Sequence, residues 1–442
     1  MKIHNSLKSL LGLLLLLATL THTHQAQQNF DYPTANLSTS WTNSPSLPHS
    51  VSFTDGSTVR AILLRGSYGP RFACGFYCKG DCKSFLFAVF IVQTNSASGI
   101  TSPAIGFPQV VWSANPNRPV GENATLSLTW YGDLLLQDSD GTIVWSTKTL
   151  KKPVKGMSIN NDGNLVLFDW NGKTVWQSFD HPTDVLVPGQ TLTRTQKLTS
   201  AEHSLTVTSN GLFATIGSNP PQTYFQYPVS KTKYAKFTNG SLDIYAESNK
   251  PVASIALPKA SSAQYMKLDS DGHLRVYEWS TKGWVVVADV FGLKACLYPK
   301  ACGEYGICAD DGQCSCPIGT SGCYSFFRPV NYRRPSLGCS TVTPISCRLS
   351  GYHQMIAIED VSYFGYSDAR AVALKGVDKE RCKQACLKSC ACRAALFQYG
   401  SDPTKGYCYL PSKVYSMIDN RPEVSHYNST AFLKVQVKPI KA

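Results

Sequence analysis

Short motifs typical of enzymes and metal sites are incomplete in this sequence. Gly172-Lys173-Thr174 resembles the end of a phosphate-binding loop, but the glycine that such a loop needs five residues earlier is Leu167, so we interpret the segment as a hairpin turn. Asp269, Asp271 and Gly272 form a run that is too short for a calcium loop. The sequence holds no nucleophile elbow, no His-Glu-x-x-His and no Gly-rich dinucleotide loop. It therefore predicts a non-enzymatic protein without a metal or cofactor.

The 16 cysteines are the other residues with possible chemistry, and most of them are clustered. The run from Cys382 to Cys408 could hold a metal ion, but behind a secretion signal such clusters are more typical of disulfides. Cys74, Cys78 and Cys82 lie in a Gly-rich segment that we predict to be a loop. Because at most one pair can close locally there, the third cysteine must reach another segment, pair between chains or stay free.

The first residues of the chain predict export. Lys2 and Lys8 precede an apolar run at 10–20, which is too short to span a bilayer and is typical of a signal peptide ending at Ala26. No second long apolar run predicts a membrane anchor, and the segment 431–442 lacks the hydrophobic tail of a lipid-anchor signal. Four N-glycosylation sequons agree with secretion, and they begin at Asn36, Asn123, Asn239 and Asn428.

The formal net charge of +13 is spread along the chain. Loss of the two signal-peptide lysines, Lys2 and Lys8, leaves +11. Aromatic residues do not alternate with the basic ones in a tract, so the pattern argues against nucleic-acid binding. Outside a cell, an acidic polysaccharide is the more natural partner of such a charge, although a merely solvated basic surface accounts for it equally well.

From about residue 50 to 292 the pattern is that of β-structure, with short apolar runs cut by Gly, Asn and Asp. An internal repeat with an offset of 31 residues relates the segment 132–136 to 163–167 and Trp145 to Trp176. A weaker echo at 271–277 suggests a second domain of the same kind. A fixed period indicates β-units that bury their apolar faces against one another.

The segment 110–115 and the two repeats that follow it resemble the bulb-type (G-type, mannose-binding) lectin domain. The segment 176–190 is similar to the one that joins the tandem lectin domains of S-locus glycoproteins. This resemblance implies a mainly β fold of tandem β-prisms, each with three four-stranded sheets around a pseudo-threefold axis. Because the sequence shows no kinase domain, it resembles the epidermis-specific secreted glycoproteins of plants, which implies a location in the cell wall or apoplast.

Two further resemblances concern the cysteine clusters. The first cluster resembles a small EGF-like module, for which the family pairs Cys296 with Cys308, Cys302 with Cys314 and Cys316 with Cys323, and Cys339 is a second candidate partner of Cys316. The second cluster resembles an α+β PAN/apple domain whose helix is capped by Asp378. The PAN pattern implies the pairs Cys382–Cys408 and Cys386–Cys392, which leaves Cys347 for Cys390.

The lectin resemblance also implies a sugar site. The family motif Gln-x-Asp-x-Asn-x-Val-x-Tyr matches best at Asn160, Asp162, Asn164, Val166 and Phe168. On one strand these side chains would line one face, with the polar groups hydrogen-bonded to sugar hydroxyls. Phe168 lacks the tyrosine hydroxyl, which removes one hydrogen bond of about 1 kcal/mol. The first repeat has lost the motif, since it carries Thr129, Tyr131, Asp133, Leu135 and Gln137 at these positions.

We therefore expect a secreted, non-enzymatic glycoprotein that binds mannose-type or acidic glycans, a protein, or both, with a role in recognition or cell-to-cell signalling. In a second hypothesis, the PAN domain binds a protein partner and the lectin folds serve as a scaffold. A third hypothesis is a secreted hydrolase, but no assembled catalytic group in the sequence supports it. The expected domains are a signal peptide (1–26), two lectin domains (44–178 and 179–292), an EGF-like module (293–325) and a PAN domain (339–437).

Overall fold

The computed structural model describes residues 31–66, 68–95, 99–101, 107–217, 220–318, 326–419 and 428–437. The predicted signal peptide and Cys323 lie outside these ranges. The chain divides into two compact units, one formed by residues up to 181 together with 279–285, the other by 182–278 and 286–442. Within the described ranges, no helix is long and apolar enough to cross a membrane.

The first unit consists of three antiparallel sheets. Its strands are β1 (Thr34–Asn36), β2 (Thr39–Thr42), β3 (Ser50–Ser52), β4 (Ser57–Arg65), β5 (Gly69–Lys79), β6 (Leu86–Thr94), β7 (Gln109–Ser113), β8 (Thr125–Leu128), β9 (Leu134–Gln137), β10 (Ile143–Ser146), β11 (Gly156–Ile159), β12 (Leu165–Phe168) and β13 (Thr174–Gln177). The sheet orders are β1-β11-β12-β13, β10-β9-β8-β2 and β3-β4-β5-β6-β7. The third sheet has five strands rather than the four expected, and β1 and β2 extend the domain to residues before 44.

Three tryptophans at the centre of this unit explain why the repeat exists. The rings of Trp112, Trp145 and Trp176 contact one another edge to face, with centroids 5.9, 5.9 and 5.8 Å apart. Each ring comes from a different sheet, since Trp112 lies on β7, Trp145 on β10 and Trp176 on β13. The 31-residue offset thus relates Trp145 to Trp176, and Trp112 takes the third position around a pseudo-threefold axis, as the β-prism requires.

The Gly-rich segment around Cys74 is a strand and not the loop that we predicted. Cys74 and Cys78 both lie on β5, which pairs with β4 on one side and β6 on the other. Gly75 is required there for close packing, because a Cβ atom at that position would lie 2.1 Å from the carbonyl oxygen of Arg60. Cys78 forms a disulfide with Cys82, and Cys74 is a free, buried thiol whose pKa is raised by burial.

Another β-prism follows in the chain, and apart from residues 279–285 it belongs to the second unit. Its strands are β14 (Val185–Leu186), β15 (Thr191–Thr193), β16 (Lys197–Ser200), β17 (His203–Thr208), β18 (Gly211–Ile216), β19 (Gln222–Pro228), β20 (Tyr234–Thr238), β21 (Ser241–Tyr245), β22 (Pro251–Ala256), β23 (Gln264–Leu268), β24 (Leu274–Ser280) and β25 (Gly283–Asp289). They form the sheets β14-β23-β24-β25, β15-β20-β21-β22 and β16-β17-β18-β19. These are the three four-stranded sheets that the resemblance implies.

The rest of the second unit contains the cysteine module and the C-terminal domain. Its strands are β26 (Ile307–Cys308), β27 (Cys314–Ser315), β28 (Phe327–Pro329), β29 (Cys339–Thr341), β30 (His353–Ile358), β31 (Val361–Tyr363), β32 (Leu374–Val377), β33 (Ala394–Gln398), β34 (Gly406–Tyr409), β35 (Met417–Asp419) and β36 (Ser429–Gln436). Short 3₁₀ helices span Ser178–Asp180, Ala295–Leu297, Pro335–Leu337, Cys347–Tyr352, Phe364–Ser367 and Ala369–Ala371.

The predicted helix of the C-terminal domain is confirmed as α1 (Lys379–Lys388), and its first turn is capped by the Asp378 side chain, which accepts a hydrogen bond from the amide of Arg381. Helix α1 packs on the sheet β30-β36-β33-β34-β32. Its C-terminal end is held by the buried Lys434, whose ammonium group donates to the carbonyl oxygens of Cys386 and Ser389, at 2.7 Å each. A cation at this end of a helix is favourable because it offsets the partial negative charge of the last carbonyls.

The disulfides of the second unit follow the family patterns with one exception. The structure pairs Cys296 with Cys308, Cys302 with Cys314, Cys347 with Cys390, Cys382 with Cys408 and Cys386 with Cys392. The expected pair Cys316–Cys323 is wrong, because Cys316 is bonded to Cys339, the second candidate. Strand β29, which pairs with β28, brings the Cα atom of Cys339 to 5.8 Å from that of Cys316, within the usual range for a disulfide.

The cysteine module is not an independent domain in this structure. Its strands β26 and β27 belong to the mixed sheet β27-β26-β35-β31, so they share a sheet with strands of the C-terminal domain. The largest apolar cluster of the unit spans all three parts and includes Leu205 of the β-prism, Tyr298 of the cysteine module and Tyr415 of the C-terminal domain. The module is therefore stabilised by this shared core as well as by its own disulfides.

Candidate functional site

The candidate sugar-binding residues lie on the hairpin that joins β11 to β12. The turn is closed by backbone hydrogen bonds from Asn160 N–H to the Asn164 carbonyl (2.9 Å) and from Gly163 N–H to the Asn160 carbonyl (3.1 Å). Gly163 has a φ of +85°, and a Cβ atom there would lie 2.6 Å from the ring of Phe72, so only glycine fits. Because β12 begins only at Leu165, the prediction that all five residues lie on one strand is wrong.

Asn164 is buried, and both polar atoms of its side chain form hydrogen bonds within the protein. The amide nitrogen donates to Oε1 of Gln177 (2.9 Å), and the amide oxygen accepts from Oγ of Ser178 (3.2 Å) and from the backbone N–H of Phe179 (3.3 Å). Only 6% of the residue is exposed. The amide therefore fixes the chain after β13 to the hairpin and is not available to a ligand.

The other four residues differ in exposure. Asn160 and Asp162 are exposed on the turn, and one carboxylate oxygen of Asp162 accepts a 3.3 Å hydrogen bond from the backbone N–H of Asn164. Val166 is 7% exposed. The ring of Phe168 is half-buried against Gly156. The surface of the site thus consists of one amide, one carboxylate and part of one aromatic ring, supported from below by Asn164 and Val166.

We expect Asn164→Ala to lower the free energy of unfolding of the first unit by about 1.5 kcal/mol, because the Ser178 hydroxyl, the Gln177 side chain and the Phe179 amide lose their partner. Urea denaturation followed by tryptophan fluorescence measures this, since Trp176 lies two residues before Ser178. The control is Asn161→Ala, which removes only an exposed contact to Arg65. An Asn164→Ala protein of unchanged stability that lost sugar binding would show that this amide contacts the ligand instead.

The hairpin of the first repeat is held by a buried polar side chain in the same way, but its exposed residues differ. Asp133 stands where Asn164 does and accepts hydrogen bonds from the Thr147 hydroxyl (2.8 Å) and the Thr149 backbone N–H (3.0 Å). Its turn exposes Trp130 and Tyr131, which are 72% and 67% exposed, at the positions of Asn161 and Asp162. Two aromatic rings therefore replace the polar groups, in agreement with the loss of the motif.

The segment 269–277 of the second unit, which weakly repeats the motif, contains a network of ion pairs that the sequence did not predict. Arg275, at the position of Val166, donates to Asp269 (2.8 Å) and to Asp271 (2.9 Å). The hydroxyl of Tyr277 donates to Asp269 at 2.7 Å. Burial, together with the bond to Asp269, raises the pKa of Tyr277 to about 12. Partial burial opposes ionisation of Asp271, but hydrogen bonds from Arg275 outweigh it and lower the pKa of that carboxyl.

The signal that could have revealed this network is the alignment of the echo with the motif. It places Asp269, Asp271, His273, Arg275 and Tyr277 at the five motif positions, with a charged residue where valine is needed. The carboxylates of Asp269 and Asp271 are therefore paired with the guanidinium of Arg275. Across the described parts of the chain, no group of three His, Cys, Asp or Glu residues could hold a metal ion.

Three sheets around a tryptophan cluster are the arrangement that the resemblance to bulb-type lectins implies. Residues 109–209 match the family model described as D-mannose binding lectin, which includes the hairpin of Asn160–Asn164. The chain thus carries a domain of the bulb-type lectin family, and the expected resemblance is confirmed.

The chain is also similar to curated plant proteins over longer stretches. A G-type lectin S-receptor-like serine/threonine-protein kinase of Arabidopsis thaliana is 28% identical, over 88% of this chain and 45% of its own length. EP1-like glycoprotein 3 of the same plant is 30% identical, over 47% of this chain and 56% of its own length. A PAN domain-containing protein of Arabidopsis thaliana is 24% identical, over 70% of this chain and 64% of its own length. The chain therefore spans less than half of the length of that kinase.

Proposed function

We propose that this protein is a secreted, non-catalytic glycoprotein of the cell wall or apoplast that binds mannose-type glycans through its first β-prism and acts in recognition or cell-to-cell signalling. The observation that carries the proposal is the match to the D-mannose binding lectin family over 109–209, which includes the hairpin with Asn160 and Asp162 exposed. All four asparagines of the glycosylation sequons are exposed as well. Exposed sequons together with disulfides support an extracellular location.

In this site the residues have separate roles. The Asp162 carboxylate accepts hydrogen bonds from two sugar hydroxyls, and the amide of Asn160 provides a donor and an acceptor beside it. The exposed edge of Phe168 contacts the apolar face of the sugar ring. Asn164 and Val166 do not contact the ligand but hold the turn in place. With so few direct contacts, affinity for one sugar residue is low, and the protein gains avidity from ligands with several terminal mannoses.

A protein-binding function of the C-terminal domain is the second candidate. We propose that residues 339–437 form a PAN domain, because a PAN domain-containing protein matches 70% of this chain and because helix α1 carries the disulfides of the PAN pattern. The closed network around Arg275 supports a scaffold role for the second β-prism. In this case a protein partner binds the C-terminal domain and the sugar site is secondary.

The Asp162→Asn variant tests the sugar site. It keeps an oxygen that can accept from the Asn164 backbone, but it removes the negative charge that strengthens hydrogen bonds from sugar hydroxyls. We expect binding of a branched oligomannose, measured by isothermal titration calorimetry, to weaken about tenfold, or about 1.4 kcal/mol.

The matched control is Tyr131→Ala, which changes the same turn position in the first repeat and should leave oligomannose binding within twofold. Binding that survives Asp162→Asn would place the mannose site elsewhere. If a glycan array detects no mannose binding in the unmodified protein, the protein-binding function of the C-terminal domain becomes the better proposal.

A further inference from the structure

Two adjoining cavities in the second unit lie over one face of the sheet β16-β17-β18-β19. The larger has a volume of about 610 Å³ and lies between this sheet and the segment 363–373 of the C-terminal domain. The smaller, of about 520 Å³, continues along the sheet towards Lys197. Thr206, Thr215 and Pro221 line both cavities, so together they form one groove. Its volume is in the range of ligand-binding pockets.

The floor of this groove is rich in hydroxyl groups. Thr199, Ser204, Thr206 and Thr215 lie on neighbouring strands and line it. In the parts of the chain that the structure describes, the hydroxyls of Thr199, Ser204 and Thr215 have no hydrogen-bond partner. A floor of unengaged hydroxyls is suited to a ligand that itself carries many hydroxyls, because each can act as donor or acceptor.

Two cations flank this floor in one row. Lys197 is directly opposite Thr206, and Thr206 is directly opposite Phe213, on three neighbouring strands. The guanidinium of Arg370 lies over the ring of Phe213, 4.4 Å from its centroid. Since adjacent strands are about 4.8 Å apart, the backbones of Lys197 and Phe213 are separated by about 10 Å, with a threonine between them.

Both cations can still bind an anion. Lys197 is exposed and forms no ion pair within the described ranges. Arg370 uses Nε and Nη2 to bind Asp368 (2.8 and 3.0 Å), and Nη2 also donates to the Thr223 hydroxyl (3.1 Å). Its Nη1 group has no partner among the described residues, and 56% of its side chain is exposed. The pair with Asp368 holds the guanidinium plane fixed, which reduces the entropy lost when a ligand binds.

The carboxylate of the smaller cavity does not oppose this charge. Glu202 binds both Lys300 (2.8 Å) and Lys413 (2.6 Å). Hydrogen bonds from these two lysines lower the pKa of Glu202 to about 2. Lys413 also binds Glu304 (2.9 Å), so these two lysines and two carboxylates balance in charge, and the positive charge at this end of the groove comes from Lys197.

We propose that this groove is a second carbohydrate site, which binds an acidic oligosaccharide whose sugar units carry carboxylates. One carboxylate pairs with Nη1 of Arg370 and another with Lys197, while ring hydroxyls bond to the threonines and serine of the floor. Apolar walls formed by Val372, Ala373 and Pro411 contact the ring carbons. The proposal does not depend on the mannose site, since the groove belongs to the second unit and uses different residues.

The test is calorimetric titration of the full chain with a tetramer of galacturonic acid at physiological salt. We expect Lys197→Ser to weaken binding about fivefold, the upper range for one exposed ion pair. The control Lys250→Ser, which removes an exposed lysine outside the groove, should change binding less than twofold. A neutral tetramer of mannose should not compete, and Asp162→Asn should have no effect.

A second variant, Thr206→Tyr, fills the shared part of the groove without changing any charge and should abolish binding of the tetramer. Equal losses in Lys197→Ser and Lys250→Ser would show that the acidic sugar binds by general charge attraction, which overturns the proposal. Unchanged binding in a folded Thr206→Tyr protein, or no binding of the tetramer to the unmodified chain, would overturn it as well.

Discussion

Replacing Cys382 and Cys408 together with alanine should lower the free energy of unfolding of the C-terminal domain by about 4 kcal/mol. Their disulfide closes a loop with a sequence separation of 26, for which the loss of chain entropy in the unfolded state corresponds to about 3.5 kcal/mol. Both cysteines are fully buried, in a cluster with Phe397 and Phe432. Lost packing around the two sulfur atoms adds the remainder.

The neighbouring pair supplies the control. Cys386 and Cys392 are equally buried, and Cys386 lies on the same helix, but their disulfide spans a sequence separation of only 6, which corresponds to about 2 kcal/mol. Denaturant unfolding of the two double-alanine variants should therefore rank them in this order. Equal losses would show that packing rather than loop closure determines the stability. Peptide mapping without reduction should recover both linkages, and free thiols or bound zinc at these positions would contradict the assignment of a PAN domain.

The second unit should lose about 3 kcal/mol of its free energy of unfolding between pH 7 and pH 4 because of one residue, His203. This histidine is fully buried on β17, and neither ring nitrogen forms a hydrogen bond of ordinary geometry. Its ring contacts Tyr224 edge to face, at 5.7 Å, and leaves no room for a side chain at Gly272. The imidazole therefore behaves as an apolar group and must remain neutral.

Burial is the main cause that lowers the pKa of His203, from 6.5 to about 4, and the charge of Lys300 acts in the same direction. The carboxylates of Asp271 and Glu202 and the backbone of Ser200 oppose the shift without cancelling it. Because the unfolded chain binds a proton at a higher pH than the folded chain does, stability is complete above about pH 6.5. It falls as the pH decreases towards 4, and about 2 kcal/mol is already lost at pH 5.

Urea denaturation of the unmodified protein and of His203→Phe at pH 7, 5 and 4 measures this effect. The variant keeps an aromatic ring against Tyr224 but cannot take up a proton. Between pH 7 and pH 4 its free energy of unfolding should therefore fall by about 3 kcal/mol less than that of the unmodified protein. Carboxylates such as Glu202 titrate in both proteins, and their contribution cancels in the comparison. If the two proteins lose stability in parallel, His203 does not control the acid response.

The candidate sugar site could be located only in part from the sequence. The turn glycine Gly163 was correctly placed before a strand, but the family motif put all five residues on that strand, whereas Asn160 and Asp162 lie on the turn. The motif assigns Asn164 to the ligand, but the partners of its side chain, Gln177, Ser178 and Phe179, follow 13 to 15 residues later. Spacing along a strand indicates which side chains share a face, and it does not indicate which of them the protein itself will use.

The pattern of the chain by itself determined its β-units, its repeat, its capped helix and the clustering of its cysteines, because each depends on interactions between residues that are close in sequence. The tertiary structure alone decided the pairing of Cys316 with Cys339, the strand around Cys74, and the parallel pairing of β26 with β35. It also decided that Arg275 pairs with Asp269 and Asp271. It placed the hydroxyls of strands β16 to β18 in one groove with Lys197 and Arg370. These features depend on which distant segments bury a common surface, and local periodicity does not contain that information.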